Sequence, residues 1–530
     1  MSGIGLSSWF ASPARWGRLY RRTFLQVRRS TGVRPRAAPR AGKWFLAAAV
    51  LLTLAGAGLR ASFLNHPMRY DESWVYFDYA THPLHDLVTR YNRVANHLLH
   101  TALEHVAIRF VDASPPVIRL PAFIAGTALI PLAIALGWAV TRRSACGLLA
   151  GGLVAASCVL VDYSANARGY TMICAFTLGM CLCTVRLVRE PWRRRFWPMW
   201  ALLALLGAFT VPIMVFPVAG LALLIALDAV MNGRRRRRRV QLVRLTVTLV
   251  TLAVAIFLVY LPAVVRTGVP TVLAAAVEVQ GHWQKYFGSV PRVVRLTWQD
   301  WVRDAAAPAL LLGGVGLALG LVRALASRSV VWAMPWGLLA GGVALAALLR
   351  ANPYPRVWLY LLPVVLTFAA CGLALIRPAL LRRLAIAALT AAVLAGGYRV
   401  AQRELLVAEK PPSLVDAEAV AQMCADLPPR EFGLVMLPMT DAVRYYAHRR
   451  DLPRPAHPVD PRVRAVYVVV NSFQSLEEVL RVKGETWVHQ CGSPVLYKTL
   501  PHSRVYRMER IRACARVAGI VKSGANATVD

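Results

Sequence analysis

The strongest constraint on this chain is the recurrence of long apolar runs. Residues 44–64, 117–140, 145–162, 171–188, 197–210, 213–231, 240–263, 306–326, 330–349, 357–376 and 384–400 carry few charges. Most are near the ~18 residues that cross a hydrocarbon core as a helix, the one open-ended element that satisfies its own backbone in lipid. The stretch 197–231 is too long for one helix, and TVPIMVFP (210–217) sets two prolines in its middle, so it divides there. The expected fold class is an all-α polytopic membrane protein of about eleven spans.

Charge orients the spans. The chain has 62 Lys+Arg against 26 Asp+Glu, a formal charge of +36, almost all of it arginine. The basic residues do not form a nucleic-acid face. They sit in short blocks between apolar runs, at 141–143, 189–195, 234–239, 323–328 and 377–383, all on the side of the acid-free, arginine-rich tail 1–43. The positive-inside rule makes that side cytoplasmic, with a flexible tail, and excludes nucleic acid as a partner. The twin arginines of YRRTFLQV lie too far before the first apolar run to read as an export signal. An odd span count then places residues 401–530 on the outer face.

That C-terminal part changes character. VDAEAVAQMCADL, TDAVRYYAHRR and SLEEVLRV read as helices, the last with a Ser475–Glu478 capping box, while FGLVMLP, AVYVVVN and PVLYKTL read as strands. The expectation is a small α/β extracytoplasmic domain. Of nine cysteines, six lie in apolar runs without metal-ligand spacing, and three (Cys424, Cys491, Cys514) lie in this domain. In an oxidising compartment Cys424 and Cys491 are expected to pair; the alternative is two buried thiols.

The long outer loop 65–116 holds the residues of chemical interest. NHPMRYDESWVYFDYA (65–80) sets Asp71 and Glu72 beside Arg69; Asn96-His97-Leu98-Leu99 follows, and Arg119-Leu120-Pro121 opens the second span. On a helix, Asp71, Trp74 and Asp78 share one face, suited to the membrane–water interface. VDYSANARGYTM (161–172), closing the third span, adds Arg168 and Tyr170, and NPYPRVWLYLLP (352–363) adds Arg356. These outer-side arginines run against the positive-inside bias. Each reads either as an anchor to headgroups or as a ligand for phosphate or sugar. His97 and Tyr170 read equally as interfacial residues. The loop 264–305 interleaves aromatics with Lys285 and Arg292; it reads as an interfacial aromatic helix or as a lid over a phosphate.

In their order and side, Asp71-Glu72, Asn96-His97, Arg119-Leu120-Pro121 and Tyr163-Ser164 with Ala167-Arg168-Gly169-Tyr170 resemble the GT-C superfamily of polyprenyl-phosphate-sugar-dependent glycosyltransferases. The likeness is to the bacterial branch related to protein O-mannosyltransferases and lipid A aminoarabinose transferases, and it spans about residues 44–262. It implies a multi-pass enzyme of the bacterial inner membrane. Sugar would pass from a polyprenyl-phosphate donor to a glycan, lipid or protein acceptor, with inversion. Asp71 is the implied general base and Glu72 its orienting neighbour. Arg69, Asn96, His97, Arg168, Tyr170, Lys285, Arg292 and Arg356 are the implied substrate contacts. A carboxylate suits proton removal from a hydroxyl, and arginine suits a departing phosphate. No cofactor is implied: the resemblance argues against an obligatory divalent metal, and no acidic cluster beyond Asp71, Glu72 and Asp78 calls for one. A non-catalytic lipid-linked-sugar transporter or binding protein, or a polymerase or ligase of lipid-linked glycans, are the alternatives.

Overall fold

The computed structural model describes residues 42–510, apart from 92–95, 191, 234, 277–282, 351–353, 404–413, 428–431, 437–439, 453–462, 473 and 484–487. Every apolar run folds as helix. The first is α1 (Lys43–Ala61); the loop 65–116 then carries α2 (Tyr70–Val75), continued by a π-helical turn Tyr76–Ala80, α3 (Leu84–Thr89) and α4 (Leu98–Phe110). The spans resume with α5 (Pro115–Thr141), α6 (Ser144–Ala156), α7 (Cys158–Ser164), α8 (Tyr170–Arg189), α9 (Phe196–Thr210), α10 (Val215–Asn232) and α11 (Arg235–Thr267). After α12 (Val269–Ala276) and α13 (Trp283–Trp301) come α14 (Ala307–Ser327), α15 (Met334–Leu348), a 3-10 segment Pro355–Leu361 running into α16 (Leu362–Leu373), and α17 (Ala379–Ala401). Among the described residues eight helices are long and apolar enough to cross a membrane; α6 and α7, bent by 64°, make a ninth if the pair is one span, and α9 and α15 are shorter apolar helices of 15 residues. The chain is a polytopic membrane protein.

The breaks have local causes. α9 ends at Thr210 because Val211, preceding Pro212, is held extended (φ −152°, ψ 136°). α5 starts on Pro115-Pro116, whose missing N–H groups cost nothing in a first turn. The largest core joins α5, α6, α8, α9, α10 and α16. Helices α14 and α16 cross in near backbone contact: a Cβ on Gly372 would lie 1.7 Å from the Gly316 carbonyl oxygen.

The described part of 264–305, expected to hold an interfacial aromatic helix or a lid, is largely helical. Phe287, Val294 and Trp298 form an exposed apolar stripe on α13, the geometry of an interfacial helix.

The C-terminal domain is α/β, as its pattern implied. It contains α18 (Ala417–Ala425), β1 (Phe432–Met436), α19 (Thr440–Arg449), β2 (Ala465–Asn471), α20 (Leu476–Lys483), β3 (Val495–Thr499) and β4 (Ser503–Glu509). The sheet order is β1-β2-β4-β3, with β1 parallel to β2 and the other pairs antiparallel. The Glu478 N–H bonds to Ser475 Oγ at 3.1 Å, the cap its sequence predicted.

The expected Cys424–Cys491 disulfide is not formed. Cys424, on α18, belongs to the core on one face of the sheet with Tyr467 and Val469. Cys491 packs with Val466, Val468 and Val470 on the other face. The alternation of β2 side chains separates them by the thickness of the sheet. Cys514 lies outside the described residues.

Candidate active site

The loop 65–116 is nailed down by one buried ion pair. Glu72 is fully buried and accepts four hydrogen bonds: Arg119 Nε (2.9 Å) and Ala167 N (2.7 Å) on Oε1, Arg119 Nη2 (2.6 Å) and Arg69 N (2.8 Å) on Oε2. Arg119 also holds the Leu64, His66 and Pro67 carbonyls at 2.8, 2.7 and 3.0 Å. Burial alone would raise the Glu72 carboxyl, but Arg119, with Arg69, holds it below its ordinary value. All its lone pairs face protein donors. Glu72, named with Asp71 in the catalytic pair, therefore orients the loop and does not present itself to a reactant.

Asp71, the adjacent residue, points the other way. Its carboxylate is partly exposed and meets Arg168 Nη1 at 2.8 Å, the arginine itself being buried. Arg168 lies over the Tyr170 ring at 5.3 Å, and Tyr170 packs edge-on against both His97 (4.8 Å) and Tyr163 (5.4 Å). The loop closes through Gly169, whose N–H bonds to His97 Nδ1 at 2.8 Å. A Cβ on Gly169 would stand 2.2 Å from Thr210 Cγ2 and 3.1 Å from His97 Nδ1, so only glycine permits this approach.

The state of His97 follows. Burial first, then Arg168, His100 and Arg356, holds the imidazole well below its ordinary value, so the ring is neutral. With Nδ1 accepting from Gly169, the proton lies on Nε2, which has no hydrogen-bond partner among the described residues. Arg356, over the Tyr354 ring at 4.9 Å in the 3-10 segment, contributes to the same positive field. Asp71, His97, Arg168 and Tyr170 thus form one site by contact, and Arg356 adds to the positive field on His97.

The other expected contacts have different posts. Arg69 pairs through its guanidinium with Asp162, buried on α7. Asn96 is fully buried, with Nδ2 on the Arg90 carbonyl (3.1 Å) and Oδ1 accepting from Thr101 (3.2 Å); it shapes the turn before α4. Arg292 is exposed on α13, and the side chain of Lys285 lies outside the described residues. Among the described residues no group of three His, Cys, Asp or Glu could hold a metal ion.

Sequence reasoning missed Asp162 and underused Arg119, although an acid inside an apolar run is itself a signal. It also missed the domain contact. The Met68 N–H bonds to Tyr446 Oη at 3.1 Å, Tyr445 Oη donates to the Ala113 carbonyl, and Arg444 lies over Phe77 at 4.1 Å. Helix α19 therefore braces both ends of the loop that carries Asp71.

Solved structures match most of the chain. ArnT from Cupriavidus metallidurans bound to undecaprenyl phosphate superposes with a TM-score of 0.56 at 13% identity, covering 86% of this chain and 97% of that one. Its apo form gives 0.55 over the same shares. An oligosaccharyltransferase of Archaeoglobus fulgidus gives 0.52 at 13% identity, covering 81% of this chain and 69% of that one. The chain has the GT-C fold. The resemblance read from its motifs holds at the level of architecture. No protein-family model matches the sequence, and no curated protein does.

Proposed function

We propose that this GT-C-fold protein is an inverting glycosyltransferase that moves a sugar from a polyprenyl-phosphate donor to an acceptor hydroxyl at the outer face of a bacterial inner membrane. The observation that carries the reading is the 2.8 Å contact between partly exposed Asp71 and buried Arg168, with the partnerless His97 Nε2 in the same site. ArnT and the archaeal oligosaccharyltransferase supply the analogy in fold.

In this reading the acceptor oxygen attacks the anomeric carbon while Asp71 takes its proton. The bond between that carbon and the lipid phosphate oxygen breaks, and the phosphate leaves with the electron pair. Arg168 and Arg356 receive the developing charge, and His97 Nε2–H donates a hydrogen bond to the same group. As Asp71 gains the proton it loses its hold on Arg168, which turns to the phosphate. Glu72 and Arg119 keep the loop in place throughout. The lipid-linked donor, the hydroxyl acceptor, the orientation across the membrane and the lack of an obligatory divalent metal belong to this proposal.

The test is Asp71→Asn in purified protein, with transfer and donor binding measured separately. Turnover should fall by about 10²–10⁴ with donor affinity unchanged or higher. Arg168→Ala and Arg356→Ala should weaken donor binding by roughly 1.5–3 kcal/mol through loss of a charge-assisted contact. Near-normal transfer by Asp71→Asn would end the reading. Donor crossing the bilayer without acceptor modification would favour a transporter.

A further inference from the structure

Helix α11 is 33 residues long, about 50 Å at 1.5 Å per residue, against a hydrocarbon core of about 30 Å. One end is fixed in the outer loop: Arg266 Nη1 meets Asp86 Oδ1 and Thr89 Oγ1, each at 2.6 Å, and Tyr260 Oη bonds the Ala208 carbonyl at 2.8 Å. The excess length therefore emerges at the opposite end, which is Arg235–Arg239.

Those five arginines are badly placed for the protein alone. They stand in the first turns of a helix, where the macrodipole disfavours cations, and they repel one another at i,i+3 and i,i+4. No acidic residue occurs between Asp228 and Glu278 in the sequence. Arg237 takes Asp228 (2.9 Å) and the Val188 carbonyl (2.7 Å), which ties α11 to the end of α8. Arg235, Arg236, Arg238 and Arg239 are exposed, with no acidic partner among the described residues. The turn after α8 adds exposed Arg194 and Arg195, and its Trp192 is also exposed, as interfacial tryptophans are.

We infer that this corner is a binding site for anionic phospholipid headgroups, with Arg235, Arg236, Arg238 and Arg239 as phosphate ligands and Trp192 marking headgroup depth. Lipid phosphate supplies the counter-charge that the chain lacks there, and it fixes the depth of the rod that holds the loop around Asp86. The site is independent of the proposed transfer reaction and at the far end of α11 from it.

The test uses full-length protein in nanodiscs of mixed phosphatidylglycerol and phosphatidylcholine, with retained lipid counted by native mass spectrometry. Replacing the four exposed arginines with glutamine should cut the preference for the anionic lipid. The loss is about fivefold per arginine and on the order of several hundredfold for four at low ionic strength, shrinking with salt. The same four positions as lysine should keep the preference, because the site reads charge; Arg237 stays in both variants. Equal retention by the glutamine variant and wild type would overturn the inference. So would an RNA oligomer that displaces phosphatidylglycerol from the wild type.

Discussion

Glu72→Gln separates a structural carboxylate from a catalytic one. The Glu72 oxygens each receive two donors, one from Arg119 and one from a backbone N–H. Whichever way a glutamine amide turns, its NH2 faces Arg119 and a backbone N–H, two donors without an acceptor. Arg119, fully buried, also loses its counter-charge. Removing one partner of such a pair costs about 3–5 kcal/mol. The pH dependence has a definite sign. The folded-state carboxyl is depressed, so its contribution is complete above the unfolded value of about 4.3 and disappears as pH falls through the lower folded value. Glu72→Gln should lack that acid limb. The assay is the unfolding rate in nanodiscs across pH, beside Asp71→Asn as the contrasting variant. Asp71→Asn should lose turnover and less stability than Glu72→Gln, because the Asp71 carboxylate is partly exposed while Glu72 is fully buried; Glu72→Gln should lose the larger share of stability. A Glu72→Gln protein with wild-type unfolding kinetics would refute the clamp.

Other consequences are direct. Burial pushes the Cys424 thiol up to about 12 and raises Cys491 as well. Both should be recovered unlinked from non-reduced protein, Cys424 alkylating only after unfolding; a Cys424–Cys491 peptide would contradict the two-faced sheet. Tyr446→Phe removes the acceptor of the buried Met68 N–H and should cost about 1–3 kcal/mol, read as easier proteolytic release of the C-terminal domain. A reporter fused after Arg239 should read cytoplasmic and one fused after Pro412 outside. The reverse at the second would break the odd span count.

The apolar runs were legible because lipid leaves a buried segment few options but a helix, and the split before Pro212 was legible because proline acts locally. The strand Ser503–Glu509 was not: SRVYRME does not alternate cleanly, with Arg504 and Arg507 on opposite faces, and only pairing with β2 and β3 shows it as a central strand. In the site, residue types and order marked Asp71, His97, Arg168 and Arg356. Which neighbour of an acidic pair faces inward was not legible, since the partners that hold Glu72 inside include Arg119 and Ala167, 47 and 95 residues along the chain. The disulfide expectation failed for a related reason. Compartment and count say nothing of which sheet face a cysteine occupies.

The charges inside the span bundle explain how that loop obtains a floor. Helix α6 stops at Ala156 because Ser157 is extended, and the break frees carbonyls that lipid cannot hydrate. Arg60, in the last turn of α1 and fully buried, donates to Val154 and Ala155 oxygens at 3.1 and 3.2 Å, to Gly56 at 3.0 Å, and to Ser164 Oγ at 3.1 Å. Its planar fork reaches both sides of the break at once, which the point charge of a lysine would not. The redirected leg, α7, then delivers Asp162 to Arg69, the residue before the helix that carries Asp71. A cation buried in one span thus repairs a broken helix in another, and the repaired break supplies the anion on which the loop that carries Asp71 is seated.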